Sequence, residues 1–250
     1  MIIDIHTHIS DATLAPGYCG IDLDGKRLNE LMKKFGIDYA VAIPEQPKLK
    51  GDVHKMNDVV ANDVRVFPNI IFCGRVNPRH EREAVDEVRR CVQELGARII
   101  KLHPWNEGYY AFGEWVIKVV EEAARLKVPV TIHSGDPPYS LPLQIGEIAA
   151  VIPEATILMV HMGYYLYVDE AFLMAKRHPN IFLDTTGVPW PPLVKIAVER
   201  IGAERVVSGS DAPFGHPDVQ RRVIELSGLS DKDKRLIMGE NAARLLRLRT

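Results

Sequence analysis

Histidine and aspartate stand at the ends of several short apolar runs, and their spacing suits a divalent metal ion. His6 and His8 lie two residues apart in a β-branched run near the N-terminus, so both imidazoles would point to one face of a strand. His133, His161 and Asp211 end or follow later runs of the same kind. Imidazole and carboxylate groups that converge from different strands are typical ligands of Zn²⁺ or a similar ion. The pattern predicts a metal centre where these runs end.

Each of these residues also has a structural interpretation. Two histidines separated by one residue can be hydrogen-bonded polar groups at a strand end, and a lone histidine after an apolar strand is more often a satisfied core side chain. An aspartate after a strand is often the N-cap of the next helix, but Pro213 delays any helix after Asp211. Because the arrangement recurs at several strand ends, we favour a functional site.

The elements that must position these residues alternate regularly along the chain. Nearly continuous apolar runs are typical of strands buried on both faces of a parallel sheet. Eight such runs span residues 2–8, 39–44, 70–77, 97–103, 129–134, 156–161, 181–186 and 205–210. One strand and one helix per roughly 30 residues predict an α/β fold, a (β/α)8 TIM barrel, in a single domain over residues 1–250.

An open doubly wound sheet is the alternative architecture. It would carry a glycine-rich phosphate loop after the first strand. Residues 6–10 read His-Thr-His-Ile-Ser instead, and neither glycine-rich phosphate motif occurs elsewhere in the sequence. We therefore expect the barrel.

The segments between the runs have helical periodicity. Helices are predicted over residues 81–95, 114–126, 193–201 and 231–248, among others. Gly96 follows the first of these as a left-handed C-terminal residue, and Ser230 precedes the last as its N-cap.

Composition and charge exclude several classes of protein. Thirty-one basic and 33 acidic residues give a net charge of -2, which offers no basic field for a nucleic acid. No apolar run approaches the roughly 18 residues of a membrane span, and the N-terminus does not read as a signal peptide. Cys19, Cys73 and Cys91 are odd in number and widely spaced, so we expect free thiols and a cytoplasmic protein.

Several motifs together resemble the amidohydrolase superfamily, and within it the amidohydrolase-related (amidohydrolase 2) branch. They are His-Thr-His at 6–8, His133 on the fifth strand, His-Met-Gly at 161–163 and Gly-Ser-Asp-Ala-Pro at 209–213. Segments 31–41, 101–104 and 239–246 extend the similarity to nearly the whole chain. The resemblance implies a distorted TIM barrel with a divalent metal in its mouth.

The resemblance also implies roles for individual residues. In that branch the metal is held by the residues that correspond to His6, His8, His133 and Asp211, and the residue that corresponds to His161 assists the bound water or the substrate. Zn²⁺ is the expected ion, with one ion favoured over two.

Three further polar residues near the strand ends are candidates for a second metal or for substrate binding. In two-metal members of the superfamily a carboxylated lysine on the fourth strand bridges the ions, and Lys101 ends that strand here. A cationic substrate contact and a structural ion pair are its alternatives. His103 faces the same way but beyond the metal. Arg75 on the third strand faces inward or pairs with a neighbouring acid.

The reaction class is not decided by these ligands. We favour a metal-dependent hydrolase of a small amide, ester or lactone, because metal binding lowers the pKa of water from 15.7 to about 7 and Asp211 can take the proton while His161 polarises the carbonyl. The alternative is a non-oxidative decarboxylase of a small, perhaps aromatic, carboxylic acid on the same site. Two candidate cations and many loop aromatics favour it.

Other interpretations are weaker. A barrel-type nuclease would be expected to carry an extra glutamate at a middle strand end, where this chain has Asn77-Pro78 and His103-Pro104. An inactive metal-binding barrel or a scaffold subunit would not need every one of these polar strand ends. The expected partner is a small-molecule substrate, and a homo-oligomer is compatible with the sequence.

Overall fold

A computed structural model describes residues 1–10, 23–45 and 52–248 of the protein. Eight parallel strands form one sheet whose spatial order follows the chain. The strands are β1 (Ile3–Ile9), β2 (Tyr39–Pro44), β3 (Ile70–Arg75), β4 (Ile99–Leu102), β5 (Val130–Ile132), β6 (Ile157–Met159), β7 (Ile181–Asp184) and β8 (Val206–Val207). Sequential parallel pairing of this kind, with a helix between strands, is the predicted (β/α)8 arrangement.

Backbone contacts between β1 and the residues after β8 close the barrel. Thr7 pairs with Ala212 in an isolated parallel bridge, and the Ile5 N–H donates to the Ser208 carbonyl at 3.2 Å. The closure lies beyond the end of β8 and not within it. It therefore brings the segment after β8 beside the histidines of β1.

Helices alternate with the strands, and most of them cover the outside of the sheet. They are α1 (Gly25–Phe35), α2 (Val53–Val64), α3 (Arg82–Gln93), α4 (Pro104–Glu107), α5 (Glu114–Arg125), α6 (Pro142–Val151), α7 (Val168–Arg177), α8 (Pro191–Ile201), α9 (Pro217–Glu225), α10 (Asp231–Arg235) and α11 (Asn241–Leu245). Gly96 has a φ of 77° after α3, as predicted, and the Ser230 Oγ accepts from the Asp233 N–H at 3.1 Å. The predicted last helix ends at Leu245 and not at residue 248, and a π-helical turn, Leu236–Glu240, interrupts it.

Most of the predicted strands were too long at their carboxyl ends. β5 ends before His133, β6 ends before His161, and β8 ends well before Asp211. His161 and Asp211 each have a φ of 62°, a left-handed conformation that cannot continue a strand. The apolar pattern of the sequence does not show where the extended backbone ends, because the residues remain buried after the strand has ended.

Both faces of the strands are buried, as the continuous apolar runs predicted. Ala40 and Ala42 pack in the cluster that includes the helices, while Val41 and Ile43 pack in a second cluster. Ile99 belongs to this second cluster, and Lys101 stands two residues on, at the mouth of the barrel.

The cysteines agree with the prediction as far as they are described. Cys73 and Cys91 are buried free thiols, and Cys19 lies outside the described residues. Within residues 1–10, 23–45 and 52–248, no helix has the length and apolar character needed to cross a membrane.

Candidate functional site

Three ligand atoms converge at the carboxyl end of the barrel. His6 Nε2 and His8 Nε2 lie 3.1 Å apart. Asp211 Oδ1 lies 3.5 Å from His6 Nε2 and 3.2 Å from His8 Nε2. All three residues were predicted metal ligands, and they form a compact group of two imidazoles and one carboxylate.

The closure of the barrel delivers Asp211 to this group. Its backbone N–H donates to the His6 carbonyl at 2.9 Å, and the His8 N–H donates to the Ala212 carbonyl at 2.7 Å. A Cβ atom at Gly209 would lie 2.5 Å from His6 Cβ, closer than real Cβ contacts allow. Gly209, two residues before Asp211, is therefore required for the loop to pass so near to β1.

A second layer of carboxylates faces the outer nitrogens of both histidines. Asp184 Oδ2 lies 3.3 Å from His6 Nδ1, and Glu45 Oε2 lies 2.8 Å from His8 Nδ1. A carboxylate at Nδ1 favours the proton on that nitrogen and leaves the lone pair of Nε2 directed at the centre. Carboxylate–histidine pairs of this kind are typical of metal sites.

Sequence reasoning missed these two carboxylates. Asp184 stands inside the apolar run 181–186, and Glu45 directly follows the run that ends at residue 44. Both were detectable as acids at strand ends. Nothing in the sequence, however, assigns either acid to a particular histidine on β1.

The donor set fits a divalent ion. Ligand atoms placed about 2.0–2.2 Å from a tetrahedral or octahedral metal stand roughly 3.0–3.5 Å from one another, and the three atoms here are 3.1, 3.2 and 3.5 Å apart. Burial opposes ionisation of Asp211, but the hydrogen bond and charge of His8 outweigh it and lower the pKa of Asp211 to about 2. Burial, and then the charge of Lys101, lower the pKa of His6, so its imidazole is neutral. Glu45, and then Asp211, raise the pKa of His8 against the effect of burial, so a bound cation would have to replace the His8 proton. The described residues thus offer the lone pair of His6, the anion of Asp211 and, once that proton is lost, the lone pair of His8.

His133, the fourth predicted ligand, makes a different contact. Its Nε2 lies 2.5 Å from Asp136 Oδ2, and its ring stacks on His103 with the centroids 4.0 Å apart. It lines the same cavity as the other three residues but is not part of their compact group. His103 also lines this cavity and, like His133, is not part of the compact group.

His161 lies next to the group, with its ring centroid 5.7 Å from that of His6. It begins a stretch of four residues with positive φ, 161–164, which is unusual backbone for non-glycine residues. The His161 Nδ1 donates to the Thr186 carbonyl at 2.8 Å, and the ring stacks on Tyr164 with centroids 4.3 Å apart. Since a carbonyl only accepts, Nδ1 carries the proton and Nε2 keeps a lone pair. Burial lowers the pKa of His161 to about 3, so the ring is neutral.

The site opens into a cavity of about 300 Å³ at the barrel mouth. Lys101 is fully buried at its base, with Nζ 3.4 Å from His6 Nε2. Burial, and then the charge of Arg75, lower the pKa of Lys101 to about 8. The aromatic residues Trp105, Tyr164 and Phe214 line the cavity. Other loop aromatics, such as Tyr165 and Trp190, contact each other with tilted rings 5.2 Å apart and lie outside it.

Arg75 lies behind this site and does not line the cavity. Its Nε donates to Glu107 Oε1 at 2.8 Å, and its Nη1 donates to the Pro44 carbonyl at 3.1 Å. The side chain is only 1% exposed. Of the two environments predicted for Arg75, the structure has the ion pair with a neighbouring acid.

Comparison with known proteins gives both a family and named relatives. A family model described as amidohydrolase matches residues 3–248. Gamma-resorcylate decarboxylase from Rhizobium sp. (strain MTP-10005) is 22% identical, with 91% of this chain and 88% of the relative covered.

Several solved structures of similar fold are also decarboxylases by name. The 2,6-dihydroxybenzoate decarboxylase complexed with 2,6-dihydroxybenzoate has a TM-score of 0.78 at 19% identity over 99% of each chain. The 5-carboxyvanillate decarboxylase from Novosphingobium aromaticivorans, complexed with manganese and 4-hydroxy-3-methoxy-5-nitrobenzoic acid, has a TM-score of 0.77 at 18% identity over 99% of this chain and 96% of that one. Identities this low establish the barrel fold alone. Because the family model spans nearly the whole chain, the protein belongs to the amidohydrolase family.

Proposed function

We propose that the protein is a metal-dependent, non-oxidative decarboxylase of a small hydroxylated aromatic acid. One observation carries the proposal: a single cavity combines the metal-binding group and the buried Lys101 at its base with aromatic rings on its walls. Sequence reasoning favoured hydrolysis and held decarboxylation as the alternative. The names of the relatives support the alternative.

The size and lining of the cavity suit a single-ring acid. Its volume of about 300 Å³ is at the lower end of small-molecule sites. Trp105 and Phe214 offer flat apolar surfaces for an aromatic ring. Lys101 offers a positive charge to the anionic part of the substrate. The bound anion would in turn compensate the free-energy cost of burying the Lys101 ammonium group.

His6, His8 and Asp211 would hold a divalent ion, with His133 as a further ligand. Such an ion, when bound, supplies a Lewis acid for the oxygens of the acid. Imidazole and carboxylate ligands accept both Zn²⁺ and Mn²⁺. Zn²⁺ was the expectation from sequence, whereas the relative from Novosphingobium aromaticivorans binds manganese.

A residue of the chain can transfer the proton that the reaction requires. The reaction breaks the bond between the ring carbon and the carboxylate, releases CO₂, leaves the electron pair on the ring carbon and adds one proton there. His161 Nε2 has the free lone pair to accept the proton of a ring hydroxyl, and it can return that proton to the carbon. The product hydroxyl then regains a proton from solvent. The aromatic walls limit the access of water to the ring carbon.

A paired screen tests the reaction class. The protein loaded with Mn²⁺ or Zn²⁺ is assayed for CO₂ release from hydroxybenzoic acids, and for hydrolysis of lactones, esters and amides. We expect metal-dependent CO₂ release, incorporation of solvent deuterium at the vacated ring carbon, and loss of both in Asp211→Asn. The matched control Asp218→Asn changes an exposed acid of α9 and should keep the activity. Hydrolytic turnover without CO₂ release would overturn the proposal.

A further inference from the structure

A buried arginine is connected, through a glutamate, to one of the metal-binding histidines. Arg75 ends β3 and is 1% exposed. Its guanidinium makes three contacts: Nε donates to Glu107 Oε1 at 2.8 Å, Nη1 donates to the Pro44 carbonyl at 3.1 Å, and Nη1 lies 4.0 Å from Glu45 Oε2. Glu45 in turn faces His8 Nδ1 at 2.8 Å. A continuous path of polar contacts therefore joins Arg75 to His8.

The base of this path is immobilised. The side-chain amide of Asn57, fully buried on α2, accepts from the Arg75 N–H at 2.9 Å and donates to the Arg75 carbonyl at 2.8 Å. Glu107 is 3% exposed and holds Nε from the other side. With its backbone and its guanidinium both anchored, Arg75 is a fixed positive charge and a fixed pair of donors.

We propose that Arg75 is a positioning residue of the metal centre, which acts through Glu45 on His8. One nitrogen, Nη1, fixes the carbonyl of Pro44, the residue before Glu45, and also attracts the Glu45 carboxylate. Arg75 thus fixes the carbonyl before Glu45 and attracts the Glu45 carboxylate, while the Glu45 N–H donates to the Ile9 carbonyl of β1 at 2.7 Å. Glu45 then holds the His8 imidazole with Nε2 directed at the metal-binding group. This role differs from the substrate contact or second-metal role considered from the sequence.

The expected magnitude is that of other outer contacts to metal ligands. Changing a partner that orients a ligand typically costs about 10–100-fold in metal affinity. The inference concerns metal binding by this chain and does not depend on the reaction class. Failure of the decarboxylase proposal would therefore leave it intact.

The test measures Mn²⁺ affinity of metal-free protein, by EPR detection of free Mn²⁺ during titration. Removing Arg75 alone would strand the buried Glu107 charge, so the principal variant is Arg75→Met/Glu107→Gln, which removes one charge of each sign. Arg75→Lys is the second variant, because it keeps the charge but loses the fixed geometry. Circular dichroism and the melting temperature of each metal-free variant establish that it is folded.

A double-mutant cycle separates positioning from a general loss of stability. We expect Arg75→Met/Glu107→Gln to raise the Kd for Mn²⁺ about tenfold or more, and Glu45→Ala to raise it at least as much. Combining both changes should give no further increase over Glu45→Ala, because the positioning of His8 by Arg75 runs through Glu45. If Arg75 only supported the general structure, the two increases in the Kd for Mn²⁺ would multiply in the combined variant.

An ion pair of the same length on the outer surface provides the control. Arg89 Nε donates to Glu122 Oε1 at 2.8 Å, the same distance as in the Arg75–Glu107 pair. Arg89→Met/Glu122→Gln should leave the Kd unchanged. A folded Arg75→Met/Glu107→Gln or Arg75→Lys protein with wild-type affinity, or increases that multiply in the cycle, would overturn the proposal.

Discussion

The backbone N–H of Asp211 donates to the carbonyl of His6 at 2.9 Å, so the contact that closes the barrel also brings a carboxylate to the metal-binding histidines. The same backbone contacts thus close the barrel and assemble the metal-binding group. A loop after β8 that failed to dock on β1 would leave both the barrel and the donor set incomplete. Metal binding and barrel stability should accordingly be coupled, because a ligand that binds only the folded state stabilises it.

The first prediction concerns the metal itself. We expect one divalent ion per chain, and we expect His8→Ala to weaken its binding by more than about 100-fold, since a direct ligand contributes more than its outer partners. Titration of metal-free protein with Mn²⁺ and elemental analysis measure both quantities. His80→Ala, on the turn before α3, is the control. Two ions per chain, with a carboxylated Lys101 between them, would contradict the prediction.

The second prediction concerns His133, whose Nε2 faces Asp136 and not the other three ligands. If His133 supplies the fourth ligand, Asp136 competes with the metal for this nitrogen. We expect His133→Ala to weaken Mn²⁺ binding and Asp136→Ala to strengthen it. The same titration measures both, and an unchanged Kd in His133→Ala would restrict the ligands to His6, His8 and Asp211.

The third prediction separates His161 from metal binding. His161 is neutral, with Nε2 as a proton acceptor. His161→Asn removes this acceptor, so we expect CO₂ release to fall by about 100-fold or more while Mn²⁺ affinity stays within about twofold of wild type. Parallel measurement of kcat and of metal Kd is the readout. Loss of metal in His161→Asn would instead make this residue a ligand.

The fourth prediction is a pH dependence of stability far from the site. Hydrogen bonds from Arg125, and then from Arg89, lower the pKa of Glu122 from its ordinary 4.5 to about 2. A carboxyl group whose pKa is lower in the folded state stabilises the fold above its ordinary pKa, and this contribution is lost as the pH falls toward the folded pKa. The free energy of unfolding of wild type should therefore exceed that of Glu122→Gln at neutral pH.

The difference between the two proteins should shrink between pH 4.5 and about 2, the two pKa values of Glu122. Urea unfolding of both metal-free proteins at several pH values over this range measures it. Metal-free protein is used because acid would also release a bound ion. A difference that stays constant with pH would show that Glu122 contributes through packing alone.

Periodicity and motif spacing were enough to predict the barrel and three of the residues that converge at its mouth. Strands buried on both faces must be continuously apolar, so the eight strands were visible in the sequence. His6 and His8 share one short strand, so their common direction follows from local geometry alone. The order of motifs along the chain identified Asp211, although three residues beyond β8 separate it from the strand.

Contacts between distant segments were decided only by the tertiary structure. Glu45, after β2, contacts His8 on β1, and Asp184, at the end of β7, contacts His6 on β1. The Arg75 side chain points away from the cavity and pairs with Glu107 on α4. Each depends on which buried charges can pair once the strands have packed, and a buried charge takes the nearest partner in space, not in sequence. The sequence could therefore determine which residues carry the chemistry, whereas the pairing of their outer atoms required the closed barrel.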